Sequence, residues 1–404
     1  MKTVAIITEY NPFHYGHLYQ LDKIRGALGN DTRIISIMSG NYTQRGELSI
    51  ADKSIRAKAA IDSGVDLVIE LPFPYSSASA EFFAFGGVSI ANSLGIVDYL
   101  AFGSECGEIN KLTSYADAFS SKEYEDNLFR LQASLEYKDL GYPALSELAI
   151  SEILGCAADA FTPNNILGIE YIKALKKLNS SIIPITLKRN GAGYNEDELC
   201  RGKIQSASAI RRALLGEGMQ ALEFIPAQAR SSYIQAFEQG AAPTDIGKLD
   251  SAIISFLRLN SPEAMTDIHD ANGGLYNRLH DASFEATSIS ALITLAETKK
   301  YTKARIRRAI LNSYFGVTSS VIRTAPAFTQ VLGMNDIGRK MLKEIKKKSS
   351  FPVITKPASY VSCGDEVIRQ KKLSDKADSI FALAQRKEIS GRFALKFTPY
   401  VKKG

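Results

Sequence analysis

Short apolar runs alternate with amphipathic stretches through the first half of the chain. The runs Val4–Ile7, Arg33–Met38, Asp66–Glu70, Tyr99–Phe102 and Ile182–Leu187 have strand length and a β-leaning composition. Between them lie helix-like patterns over 17–28, 52–63, 78–94, 108–119 and 164–178. Strands alternating with helices predict βαβ units, and hence a parallel sheet covered by helices on both faces. Val65 to Leu71, closed by Pro72, reads as a buried strand of that sheet. In such sheets ligands bind beyond the carboxyl ends of the strands, so the loops there become the ones to inspect.

The second half shows no clear period of two and reads as mostly helical from about Gly216. Gly240-Ala241-Ala242-Pro243 and Asn272-Gly273-Gly274 interrupt it. Val353–Thr355 fits a short strand, and 360–404 reads as helical and then irregular. At 404 residues the chain is long for one core, so two domains are expected, 1–215 and 216–404. The fold class that follows is α/β: a Rossmann-like parallel-sheet domain, then a mainly α-helical one.

Charge sharpens this division. Residues 1–215 carry 21 lysines and arginines against 25 acids, a net of −4, whereas 216–404 carry 28 against 18, a net of +10. A basic second half points to a polyanionic partner, nucleic acid before membrane. No run of eighteen apolar residues suggests a membrane span, and a strand beginning within three residues of the start predicts that no signal peptide precedes it. Cys106, Cys156, Cys200 and Cys363 form no C-x-x-C pair, which fits a reducing cytoplasm and no structural zinc.

The chemistry concentrates after the first strand. Asn11-Pro12 ends it, and His14-Tyr15-Gly16-His17 opens the first helix with two of the chain's four histidines. A strand, a glycine-containing turn and a helix start together make a phosphate cradle, with free backbone N–H groups and the positive end of the helix dipole converging. Two imidazoles at this spacing can face one phosphate while Gly16 lets the backbone come close. The next loop, Ser39 to Glu47, is too rich in hydrogen-bonding groups for a plain connector, while the charges of Asp52 to Arg56 suit a solvated helix face as well as a site. Gly103 to Gly107 is a small-residue turn against which a ribose or adenine could lie. One of Asn164 and Asn165 would cap the next helix and leave the other for a nucleotide. Arg189 brings a cation to the same sheet edge. Ser206 and Ser208 start a further helix, and Arg211 lies one turn on, able to hold the same anion.

In the second half, Lys299, Lys300, Lys303, Arg305, Arg307 and Arg308 surround Tyr301, with Ile306 and Ile310 four apart on the opposite side. This is a basic face backed by an apolar one. Arg339-Lys340 and Lys346-Lys347-Lys348 repeat the sign. Both runs in a basic half suit phosphate-backbone binding.

An H-x-G-H pair joined to a Ser-x-Ser-x-x-Arg helix start about 190 residues later resembles the nucleotidylyltransferase superfamily. The stretches EYNPFHYGH, MSGNYTQRGE, GVDLVIELP, FGSECG, PNNILGIEY, KKYTKARIRR and VLGMNDIGR resemble, more narrowly, the bacterial tRNA(Met) cytidine acetate ligase family. That resemblance implies adenylation of acetate by ATP. Transfer of the acetyl group to the wobble cytidine of elongator tRNA(Met) would then give N4-acetylcytidine. It implies an ATP site built from Ile7, Thr8, Glu9, Tyr10, Asn11, Pro12, Phe13, His14, Tyr15, Gly16, His17, Leu18, Tyr19 and Gln20, completed by Gly103, Asn164 and Arg189, with the phosphates also served by Ser206, Ser208 and Arg211. His14 and His17 would be the catalytic pair. Lys299, Lys300, Lys303, Arg307 and Arg308 would meet the tRNA. Magnesium is expected with the ATP, without a protein-held metal. The Ser-Ala-Ser signature departs from the Ser-Ser-Thr common among related transferases. A small-molecule adenylyltransferase, or a non-catalytic RNA-binding protein on the same fold, are the alternative readings.

Overall fold

The computed structural model describes residues 1–155, 158–189 and 205–403; Cys156, Cys200 and Ile204 lie outside them. Its centre is the expected sheet. Strands β1 (Thr3–Thr8), β2 (Arg33–Ser39), β3 (Leu67–Leu71), β4 (Tyr99–Ser104) and β5 (Ile183–Lys188) run parallel in the order β5-β4-β1-β2-β3. Each lies within two residues of its predicted run. Helices α1 (Tyr15–Leu28), α2 (Lys53–Asp62), α3 (Ala80–Ser93), α4 (Ile109–Phe119), α5 (Lys122–Ala133), α6 (Tyr142–Leu154) and α7 (Pro163–Lys177) connect the strands. The α5–α6 hairpin was not foreseen, because KEYEDNLFRLQA is so polar that its few buried residues, Tyr124 and Leu131, give little pattern.

Chain order reverses between β1 and β4, since β1 pairs with β2 on one side and β4 on the other. Against β2, β1 is paired along its whole length, but against β4 only Val4↔Tyr99 and Ala5↔Leu100 are in register. The two strands therefore part toward their carboxyl ends and open a crevice there.

The chain past 215 does not stay off the sheet. Helices α8 (Ala207–Gly216) and α9 (Ala227–Glu238) share one apolar core with α1 and α2. Helices α10 (Asp250–Leu259), α11 (Leu275–Glu285), α12 (Ile289–Ala296) and α13 (Lys303–Phe315) form a separate helical core. After α14 (Ser319–Arg323), strand β6 (Thr329–Met334) then pairs antiparallel with β3. It carries β7 (Val353–Ile354) and β8 (Tyr400–Val401) on its other edge. Every residue of β6 is buried, so it lacks the alternation that marks a half-exposed strand. Helices α15 (Asp336–Lys348) and α16 (Asp365–Phe381) complete the chain. The sheet thus crosses the expected boundary at 215, while the helical core draws on 249–317 together with Tyr42, Leu48, Phe73, Ala377, Phe381 and Ala384.

The charges at the start of α2 do not face water. Lys53 is 2% exposed and its Nζ meets Glu70 Oε1 and Asp378 Oδ2, both at 2.6 Å. This ties α2, β3 and α16 together. Burial favours the neutral form of Asp378 and holds its pKa up, against the pull of Lys53. Removing one member of such a buried pair strands the other charges and costs roughly 3–5 kcal/mol. Lys53→Met should lose stability on that scale at pH 7, read as a lower urea midpoint; an unchanged midpoint would show that the cluster holds nothing together.

Candidate functional site

At the crevice the segment after β1 takes an unusual path. Tyr10 takes a left-handed conformation, φ 46°, a costly choice for a bulky residue. Phe13 donates its N–H to the Tyr233 hydroxyl at 3.0 Å, so α9 holds this loop from beyond residue 215. His14 then caps α1: its Nδ1 accepts the Gly16 N–H at 3.0 Å, while His17 Nδ1 accepts the His14 N–H at 3.1 Å. This is a capping box built from two histidines in place of the usual hydroxyl and carboxylate. The rings stack with centroids 3.8 Å apart, and Tyr10 and Phe13 pack against His17 at 4.8 and 5.4 Å.

The capping bonds decide the protonation state. An Nδ1 that accepts a hydrogen bond leaves the neutral ring's proton on Nε2. Both imidazoles are therefore neutral, each offering an Nε2–H donor. Their titration agrees: burial, then the Arg189 and Arg211 charges, push the His14 pKa down to about 3. Burial, then His14 and Arg189, hold His17 well below its ordinary value.

Two guanidiniums converge on this pair. Arg189 follows β5; its N–H bonds the Ser104 carbonyl at 3.0 Å. A Cβ at Gly103 would come within 3.1 Å of Arg189 Cγ, so the glycine makes room for the arginine's stem. Arg211 reaches back from α8, donating from Nη1 to the Asn11 carbonyl at 2.9 Å and from Nη2 to Ser208 Oγ at 3.3 Å. Ser206 is the α8 N-cap, its Oγ accepting the Ala209 N–H at 3.1 Å. The two halves of the sequence signature are thus joined directly.

The asparagines separate cleanly. Asn165 is fully buried, its Oδ1 accepting the N–H groups of Glu105 and Cys106 and its Nδ2 bonding the Asp159 carbonyl. Asn164 is half-buried and donates to Glu105 Oε1 at 2.6 Å. Neither caps α7. The Glu105 carboxylate does so, accepting from the N–H groups of both asparagines. That partner arrives from 59 positions away and left no local signal in the sequence.

Sequence reasoning also passed over Glu47, whose Oε1 meets Arg307 at 2.9 Å and Oε2 meets Arg211 at 3.3 Å. It joins the cradle to the basic helix. Glu9, beside it, accepts the Gln44 N–H at 2.7 Å, and burial holds its pKa up. Of the basic residues after 298, Lys299 and Lys300 are exposed, and Lys303 pairs with exposed Glu297 at 3.4 Å. Ile306 and Ile310 point into the core as expected. Tyr301 and Arg308 instead turn inward: Tyr301 bonds the Gly273 carbonyl, and Arg308, 8% exposed, bonds Asp270 at 2.8 Å. Arg308 is thereby withdrawn from any surface partner, because Asp270 already neutralises it.

Comparison with known proteins places these features in a family. The model of the HIGH Nucleotidyl Transferase family matches residues 1–393. The chain is 37% identical over 397 residues to the tRNA(Met) cytidine acetate ligase of Thermoanaerobacter sp. (strain X514), covering 96% of each. It is 39% identical over 368 residues to the protein of that name from Caldanaerobacter subterraneus subsp. tengcongensis, covering 90% of each. Among solved structures, Thermotoga maritima TmcAL bound with alpha-thio ATP superposes with a TM-score of 0.91 at 28% identity, with both chains covered in full.

The depressed imidazoles link stability to pH. Below the ordinary value of 6.5 the unfolded rings take up protons that the folded ones refuse, so stability present above that value is lost as pH falls toward 3. The slope is about 1.4 kcal/mol per pH unit for each ring. His14→Asn keeps a capping acceptor but removes one ring. Its urea midpoint should fall less steeply between pH 6.5 and 5 than that of the native chain; parallel curves would mean that His14 titrates normally in the fold.

Proposed function

The chain belongs to the HIGH nucleotidyl transferase family, and on that premise we propose that it joins acetate to the wobble cytidine of elongator tRNA(Met) at the expense of ATP, giving N4-acetylcytidine. The observation that carries this reading is the pair of neutral, stacked imidazoles at the head of α1, flanked by Arg189 and Arg211 at the crevice between β1 and β4. Such a cradle suits a nucleoside triphosphate, and adenylate formation draws its nucleophile from the substrate.

In the first step an acetate oxygen attacks the α-phosphorus of ATP and the bond to pyrophosphate breaks. Negative charge grows on the phosphate oxygens, and the protein's contribution is to place and stabilise it. The Nε2–H groups of His14 and His17 donate to those oxygens as neutral groups, and Arg189 and Arg211 supply the positive charge. Gly103 and Asn164 suit the nucleoside end, Asn164 being preferred to Asn165 because the latter's amide is consumed inside the protein. Among the described residues, the carboxylates Glu9 and Glu47 beside the cradle are already engaged, Glu9 by the Gln44 amide and Glu47 by two arginines. Magnesium would accordingly arrive with the nucleotide's phosphates.

In the second step the cytidine amine attacks the acetyl carbonyl, AMP leaves and the amine loses a proton. The wobble base must leave its stack to reach the crevice. Lys299, Lys300 and Lys303, with Arg307, would hold the tRNA backbone. An enzyme acting on tRNA belongs in the cytoplasm, and no helix among the described residues is long and apolar enough to cross a membrane.

Incubation with ATP, labelled acetate and bulk tRNA tests the whole reading; label should appear in tRNA, and its absence would refute it. His17→Ala should lose acetate-dependent pyrophosphate exchange, and normal exchange would remove the histidine pair from the first step. Replacing Lys299, Lys300 and Lys303 with glutamine should weaken tRNA binding and flatten its dependence on salt. Unchanged affinity and slope would exclude these lysines from the interface.

A further inference from the structure

The α5–α6 hairpin presents one aromatic ring in an unusual way. A surface tyrosine ordinarily lays its ring on apolar neighbours and keeps its hydroxyl in water. Tyr142, the first residue of α6, does the reverse. The residue is 59% exposed, yet its hydroxyl lies 3.5 Å from that of Tyr124, which in turn meets Ser146 Oγ at 2.6 Å. Desolvation of that hydroxyl, followed by the Tyr124 hydroxyl, raises its pKa above the ordinary value. The polar end faces the inside of the hairpin while much of the residue stays open to solvent.

The turn that carries two exposed lysines passes beside its backbone. Gly141 sits against the turn that precedes α13: a Cβ there would lie 3.1 Å from the Lys299 carbonyl oxygen and 3.7 Å from Lys300 Cα. A side chain at this position would press on that backbone, so the glycine lets the lysine-bearing turn come close to the base of Tyr142. The Tyr142 hydroxyl also lies within electrostatic reach of the start of α3. Glu81, in the first turn of α3, is among the charges acting on Tyr142. Just before α3, the Ala78 carbonyl accepts from the Gln44 side chain, and the Gln44 N–H holds Glu9.

We propose that Tyr142, with Lys299 and Lys300, forms a stacking platform for an unpaired nucleotide of the RNA substrate, next to the cytidine that enters the crevice. The inference rests on the RNA reading above. Drawing one base out of a single-stranded loop exposes the face of its neighbour, and an open aromatic ring can cover that face whatever the base. The phosphates on either side of it meet the two ammonium groups. Because every base has such a face, Tyr142 sets how firmly and where the RNA is held rather than which base is read.

The test is steady-state transfer of labelled acetate to tRNA by the full-length chain. Stacking of one base contributes roughly 1–3 kcal/mol, which corresponds to about 5–150-fold in affinity. Tyr142→Ala should raise KM for tRNA by a factor in that range, with an unchanged melting temperature as the fold check. Tyr142→Phe, which keeps the ring, should stay near the native KM. The salt dependence of binding separates the ring from its cations: replacing Lys299 and Lys300 flattens it, whereas Tyr142→Ala leaves it unaltered because no counterions are involved. A native KM in Tyr142→Ala, or a loss in Tyr142→Phe as large as in Tyr142→Ala, would overturn the platform. Should the native chain fail to label tRNA at all, the RNA reading itself falls; labelling by the native chain with no effect of Tyr142→Ala defeats the platform alone.

Discussion

One guanidinium with no water around it holds the site loops in place. Arg56 is fully buried, and its donors meet four backbone carbonyls: Ala51 at 3.0 Å, Glu9 at 2.6 Å, Ser39 at 3.1 Å, and Gly40. A buried charge is tolerated only where its donors are matched. Here the matching atoms belong to the segments that follow β1 and β2. The folded chain must therefore bring those two loops to the same point. Three residues earlier on the same helix, Lys53 performs a similar service with Glu70 and Asp378. Helix α2 is in effect a charged post around which both ligand loops and the C-terminal helix are assembled.

With the first loop pinned, the imidazoles have little choice. The strand ends at a fixed height, the helix begins five residues beyond Tyr10, and its first N–H groups need acceptors. Filling that need with imidazole nitrogen settles the tautomer, burial settles the charge, and the result is a pair of neutral donors beside two permanent cations. The division of labour suits charge developing on phosphate: the arginines supply the field, and the histidines supply direction without adding further repulsion to it.

The loop after β2 links this cradle to the helical half. Gly46, at φ 73°, has its Cα so near the Arg307–Arg308 backbone that a Cβ would fall 2.7 Å from it. Glu47 then shares its carboxylate between Arg211 and Arg307. One carboxylate therefore ties the first-loop cradle to the basic helix α13.

The sequence by itself determined the parallel sheet, because alternating short apolar runs and helical periods leave few other ways to bury both. It also determined where two helices begin, since H-Y-G-H at a strand–helix junction and S-A-S-A-I-R at a helix start are local patterns that need no distant partner to be recognised. What the tertiary structure alone decided are the pairings between distant residues. Glu105 caps α7, Asn165 spends its amide indoors, Arg308 is neutralised by Asp270, Arg56 and Lys53 are buried, and β6 completes the sheet from the far side of the expected boundary. A charge looks the same in a sequence whether it faces water or a matched partner. Only the fold supplies the partner, and with it the distinction between residues that hold the protein together and those left free to hold its ligands.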